Sequence, residues 1–370
     1  MSQEEKSEVS PQKPGLLVPL WSAGLILMSV AAGWHLVTSA SEARLAAAAR
    51  HAARIEASDG SNGTISHKRN GGPKGAVVKV GAYVDRIVEV SVRETSWTAD
   101  FFLWFVWRGK EFHPGETFRV VDGEVAKKEK IKEEVLADGS IYALYQVEAK
   151  VTKFFDVSRF PAEDHVLTLR IEDAQNDETK LHFVADSDAS GISSRARVLG
   201  YKTGPVTVVV QSHAYKSTHG DPRLPPGYQV HYSQFIYGIP IARDGAGFYL
   251  KLFQGLYAAV AIAILAFFIK PTDVDPRFGL GVGAFFAAIA NCYITSSLLP
   301  DTSQASLADT VNSVAIFAIF LTLVQSTISL YIYDLQDDPP LARRFDRASA
   351  LIVTPAYAII NLLIYRAAAP

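Results

Sequence analysis

The chain has 370 residues, is 49% hydrophobic and carries a formal net charge of −2, a balance that gives no clustered basic surface for a nucleic-acid partner. Its one cysteine, Cys292, lies inside an apolar run and excludes an intrachain disulfide framework and a cysteine-based metal site. No GxSxG, P-loop, HExxH or Gly-rich dinucleotide motif occurs, and the His and acidic residues show no ligand spacing, so we read no enzyme and no metal or cofactor.

In chain order, residues 1–15 are polar, and Leu16 to Ala40 form a first apolar block. This is either a secretory signal cut near Thr38-Ser39-Ala40 or an uncleaved signal anchor. Its length and the acids Glu4, Glu5 and Glu8 ahead of it favour the anchor, whereas Arg44, Arg50 and Arg54 just beyond it run against export. Residues 1–45 are thus leader and signal segment, and 46–75 an alanine-rich helix followed by a Gly/Ser/Asn-rich linker.

From 76 to 246 the chain reads as a β-sandwich. The runs Val77 to Val84, Ile87 to Val92, Asp100 to Trp107, Ile141 to Val151, His165 to Ile171 and Val206 to Gln211 are rich in β-branched and aromatic residues, with turn pairs such as Asp122-Gly123 and Asp138-Gly139 between them. Helical periodicity is nearly absent. The charged stretch Lys127 to Glu134 reads as a solvated loop or a strand edge.

Residues 247–370 hold four long apolar blocks: Phe248 to Ile269, Phe278 to Leu299, Val311 to Tyr333 and Ala348 to Tyr365. Each has the length of a helix crossing a ~30 Å hydrocarbon layer at about 1.5 Å per residue. The second contains Gly279, Gly283, Asn291, Thr295, Ser296 and Ser297, which suit contact with water or other helices better than lipid, and so it is the candidate pore helix. Lys270 and Arg277 flank one connection and Arg343, Arg344 and Arg347 sit in another, which makes both cytoplasmic and puts the sandwich on the far side. The fold class is therefore an α+β membrane protein with an exported β-sandwich, a four-helix transmembrane bundle and an additional N-terminal hydrophobic segment.

The stretch from Phe155 to Leu167, FDVSRFPAEDHVL, resembles the signature loop of pentameric ligand-gated ion channels, the Cys-loop receptor superfamily. Lys153 and Leu167 stand where animal members have cysteines, so the chain looks like a prokaryotic member. Arg243 before the first bundle helix, Leu299-Pro300 closing the pore helix and Asp309 opening the next add to the likeness, which runs from about Ala76 to Tyr365. Departures are Ala162 for the family's aromatic, Gly109 for an Asp in the stretch after Trp107, and Gln254-Gly255 where a proline is usual; Glu163 keeps the family's carboxylate.

The resemblance implies a homopentameric channel of the bacterial inner membrane that passes inorganic ions in response to a small-molecule agonist or protons; a non-conducting receptor or scaffold of the same fold is the alternative. Counted from Leu299-Pro300, one helical face carries Gly279, Gly283, Phe286, Ala290, Tyr293 and Ser297, with Phe286 as hydrophobic gate. A shift of one residue would present Phe278, Val282, Phe285, Ile289, Cys292 and Ser296 instead. Asp273 and Asp275 would ring the cytoplasmic mouth and favour cations, with Arg277 close enough to oppose them. Coupling falls to Phe160, Pro161, Glu163 and Asp164, to Arg243 and to the linker from Pro300 to Asp309, with an ion pair between Glu163 and Arg243. Agonist binding falls to the hairpin Gln211 to Tyr232, where Tyr215, Tyr228 and Tyr232, with Trp104 from a facing surface, offer aromatic faces to an amine. Protons are the rival stimulus, through His165, His182, His213, His219 and His231.

Overall fold

The computed structural model describes residues 16–56, 75–218, 220, 222, 224–225, 227–334 and 336–369, with residues 51–56 by backbone alone. The leader 1–15, the linker from 58 to 74 and His219 lie outside the described residues.

The first element, α1 (Leu17–Glu56), is one unbroken helix of 40 residues where the sequence suggested an apolar block and a separate alanine-rich helix. No Gly or Pro interrupts the join, alanine has the highest helix propensity, and the hydroxyls there bond back within the helix: Thr38 to the Trp34 carbonyl (3.0 Å) and Ser41 to the Thr38 carbonyl (2.8 Å). At about 1.5 Å per residue its length is roughly 60 Å, twice a hydrocarbon layer.

Among the described residues eleven strands follow: β1 (Ala76–Ser91), β2 (Ser96–Trp107), then the short helix α2 (Pro114–Thr117), β3 (Phe118–Val120), β4 (Gly123–Val135), β5 (Ile141–Thr152), β6 (Asp164–Asp173), β7 (Leu181–Ala185), β8 (Gly191–Ile192), β9 (Tyr201–Thr203), β10 (Thr207–Tyr215) and β11 (Val230–Arg243). They form two sheets. One runs β4-β5-β2-β1-β7 with β8 on β1; the other runs β10-β11-β6-β3 with β9 on β11. Alternation on β2 turns Trp97, Ala99, Phe101, Leu103, Phe105 and Trp107 inward, where they share a core with Leu167, Leu169 and Ile171 of β6 and Phe235 and Tyr237 of β11. Two runs expected as separate strands, Val77 to Val84 and Ile87 to Val92, are a single β1 whose Asp85-Arg86 step is absorbed by β-bulges against β2 rather than by a turn. The stretch from Lys127 to Glu134 lies on β4, an exposed edge strand, where dense charge opposes edge-to-edge pairing.

The helical part comprises α3 (Gly247–Ile264), continued by a 3-10 turn (Leu265–Phe268), then α4 (Val274–Ser297), α5 (Leu307–Asp334) and α6 (Pro339–Ala368). With α1 these make five helices among the described residues that are long and apolar enough to cross a membrane, which fits a membrane protein. Helix α6 starts nine residues before the expected Ala348, because the Asp338 side chain caps it, accepting the Leu341 N–H at 2.9 Å, and Pro339 and Pro340 suit its first turn. Arg343, Arg344 and Arg347 are therefore helical and not in a loop. Helix α1 runs beside α6 in the same direction: Trp21 stacks near Phe345 (5.4 Å) and donates to Ser349 (3.3 Å), while Gly33 sits against Ile360.

Candidate functional sites at the sheet–helix junction and on helix α4

The loop between β5 and β6 is where the two parts of the chain meet. Phe155, Val157 and Phe160 are buried, with Phe155 edge-on to His165 at 4.9 Å, so the loop is anchored in the sheet core. Its outer backbone then faces the helices. The Ser158 and Phe160 carbonyls accept the N–H groups of Leu307 (2.9 Å) and Ala308 (3.0 Å), two of the donors that the start of α5 cannot satisfy within the helix. The same terminus is closed by a reciprocal box in which the Asp309 carboxylate accepts from the Ser306 N–H and hydroxyl (both 2.8 Å) and the Ser306 oxygen accepts the Asp309 N–H (3.1 Å). Asp309 thus serves its own helix end.

Arg159, almost fully buried, pairs with Asp164 and donates to the Ala368 carbonyl at the end of α6 (3.2 Å), where a cation complements the helix dipole. Burial pushes its guanidinium below the ordinary value, against the pull of Asp156 and Glu163. From the other side, Arg50 of α1 pairs with Asp156. One loop therefore touches α1, α5 and α6.

Glu163 and Arg243 meet, with Arg243 Nε 2.9 Å from the carboxylate and Glu163 1% exposed. Tyr201 donates to the same oxygen at 2.9 Å; burial and the neighbouring carboxylate push its phenol upward, so it stays a donor. The Arg243 guanidinium lies over the rings of Tyr201 (4.1 Å), Phe248 (4.4 Å) and Phe160 (5.8 Å), so the pair ties the loop, β9 and β11 to the first turn of α3. The Phe160–Pro161 peptide is cis. Pro300 is half-buried at the far end of α4, beside a recess of about 350 Å³ that Arg93, Tyr293 and Asp301 also line.

Helix α4 has two unlike faces. Arg277, Gly281, Ala284, Ala288, Asn291 and Thr295 are buried, and Asn291 and Thr295 bond Asn312 of α5 at 2.9 and 2.8 Å. On the opposite side Gly279, Gly283, Phe286, Ala290, Tyr293 and Ser297 are all exposed, Phe286 at 66%. A Cβ added at Gly279 or Gly283 would meet nothing, while one at Gly281 would lie 2.4 Å from Leu323. In the shifted register Phe278, Phe285 and Cys292 are partly covered, while Val282, Ile289 and Ser296 are exposed, so the two sets share the uncovered side of the helix.

At the start of α4, Asp273 occupies the cap position without a side-chain cap bond and Asp275 lies in the first turn rather than ahead of the helix; both are exposed. Arg277 does not oppose them. It is fully buried and gripped by Asp346 of α6 at 2.6 and 3.1 Å and by the Ile269 carbonyl at 2.8 Å, with Ser329 completing the carboxylate shell at 2.9 Å. A charged side chain enclosed among apolar helices is tolerated when neutralised in this way.

On the hairpin side, two of the three tyrosines that the sequence offers to an amine come close together. Tyr215 and Tyr232 do stand edge-on at 5.5 Å, but Arg119 of β3 lies 5.5 Å from each ring and already occupies their faces. Tyr228 is exposed, and Trp104 lies in the other sheet, donating to Asp186 at 3.1 Å. The centre of this region is Glu172, a residue the sequence reading missed. Fully buried, it accepts from Gln234 (2.7 Å), Arg119 (2.9 Å) and Tyr215 (2.9 Å) and bonds His213 at 2.6 Å. Burial acts to raise its carboxyl, but these four partners together hold it below the ordinary glutamate value. Burial and Glu172 raise the Tyr215 phenol to about 12. Of the other histidines, His182 lies 3.8 Å from Glu178 and His231 bonds Ser212 at 3.2 Å.

Neither the protein-family models nor the curated proteins contain a match to this chain.

Proposed function

We propose that the chain is the subunit of a ligand-gated ion channel of the Cys-loop receptor type, five copies of which surround an axis with α4 innermost. The observation that carries this reading is the uncovered face of α4. Six residues in helical register, two of them glycines and three bearing hydroxyls or rings, lie uncovered on a helix whose opposite face is packed against its own bundle. A face that carries Gly279, Gly283 and Ser297 suits other helices or water better than lipid, and an axis shared with other copies supplies both.

In this arrangement five Phe286 rings form a hydrophobic constriction that closes by dewetting, and the Asp273 and Asp275 carboxylates, unopposed by the sequestered Arg277, favour cations at the mouth. The β5–β6 loop transmits movement of the sheets, since its carbonyls hold α5 and its Glu163 holds the Arg243 end of β11. Arg119 already lies over both tyrosine rings, which leaves an amine cation less aromatic surface at this site and keeps protons as the rival stimulus.

The test is current from the reconstituted protein while external pH is stepped and small amines are applied. Current that reverses at the cation potential and changes its open probability in Phe286→Ala supports the proposal. Intact pentamers that stay silent under every stimulus would favour the non-conducting receptor.

A further inference from the structure

Between α1, α5 and α6 lies a cavity of about 430 Å³, within the range of roughly 300–1,000 Å³ typical of ligand sites. Its lining is ordered along the helices. At the end nearest the sheets stand His35 of α1 and Asp309, Thr310 and Ser313 of α5; deeper in come Met28, Phe317, Leu321 and Val353. From Asp309 to Leu321 is twelve residues, or about 18 Å of helix, close to the ~15 Å depth of one leaflet's hydrocarbon. Polar groups thus lie where headgroups would sit and apolar ones where acyl chains would. The mouth holds a carboxylate and an imidazole: Asp309 bonds Ser306 through one oxygen, Oδ2, and His35 is exposed.

We propose that this cavity binds one phospholipid with a zwitterionic ethanolamine headgroup, drawn from the leaflet on the sheet side. An acyl chain fills the slot from Ser313 to Leu321, the ammonium pairs with Asp309 and His35 donates to the phosphate. The inference rests on the five helices crossing a membrane and is independent of whether the assembly conducts. It also gives α1 a role, since that helix supplies one wall. A lipid wedged against Asp309 would bear on the same α5 terminus that the β5–β6 loop caps.

Native mass spectrometry of the full chain, released from nanodiscs made with equal phosphatidylethanolamine, phosphatidylcholine and phosphatidylglycerol, tests it. The expected result is retention of one ethanolamine lipid per chain. Because they fill the slot and displace buried methylenes of the acyl chain, Ala32→Phe and Ala356→Phe should lower retention by about tenfold or more. His35→Ala, on the exposed surface, keeps the fold testable if the filled variants assemble poorly, and should weaken retention without abolishing it. Retention of no lipid, retention unchanged in the filled variants, or equal retention of the choline lipid, which lacks the ammonium donors, would each overturn the proposal.

Discussion

Replacing Arg243 by Met removes the cation from a pair whose carboxylate partner is 1% exposed and whose own side chain is 13% exposed. Glu163 is then left with the Tyr201 hydroxyl as its side-chain donor. Breaking a buried pair from one side costs about 3–5 kcal/mol, and the three aromatic faces under the guanidinium lose contacts of roughly 0.5 kcal/mol or more each. Glu163→Gln strands the opposite charge and should cost a comparable amount. Combining the two removes both charges, so the double variant should cost about 2 kcal/mol less than the sum of the singles. Urea unfolding of the detergent-solubilised full chain, followed through the emission of the core residues Trp97 and Trp107, reads this coupling. Additive costs within about 0.5 kcal/mol would refute the argument that charge, and not the packing of Arg243 on its rings, joins the loop to the end of β11.

Three further outcomes follow from other parts of the molecule. Gly281→Ala should destabilise the solubilised protein by about 1–3 kcal/mol, because its Cβ meets Leu323, whereas Gly283→Ala should be neutral or stabilising by up to ~1 kcal/mol; equal thermal midpoints would contradict the facing of α4. Asp346→Asn strands a fully buried Arg277 and should cost about 3–5 kcal/mol, a loss that the double change Arg277→Leu/Asp346→Leu should largely reverse in a thermal-shift measurement. Glu172 has a folded-state pKa depressed below 4.5, so the stability it contributes is present above that value and lost as the pH falls through the lower folded one. The wild-type thermal midpoint should accordingly decline below about pH 4.5, and Glu172→Gln should flatten that decline.

The change from strands to helices near Gly247 was legible because hydropathy changes there abruptly, and β2 from Asp100 onward because Phe101, Leu103, Phe105 and Trp107 alternate as large apolar residues. Elements whose signals conflict were not. Asp85-Arg86 has turn chemistry yet sits in a bulged strand, and the Arg-rich start of α6 has loop composition yet carries Phe345 and Asp346 into the bundle. Arg277 and Asp346 are 69 residues apart, and no periodicity announces that one neutralises the other. Glu172 lies next to the end of a strand whose inward residues dominate its pattern, so its four partners, contributed by β3, β10 and β11, become visible only in the fold. The meeting of Glu163 with Arg243 was anticipated through the family resemblance and not through their spacing.

The hold of the β5–β6 loop on α5 is made by main-chain atoms, the carbonyls of Ser158 and Phe160 against the amides of Leu307 and Ala308. Such a contact depends on the path of the backbone and tolerates drift of the side chains around it, Ala162 included. It also means that the chain's modules do not separate at the boundary the sequence offers. A chimera spliced at Gly247 would carry α5 into a new context without its acceptors, unless the donor sheet domain brought a loop of the same trace.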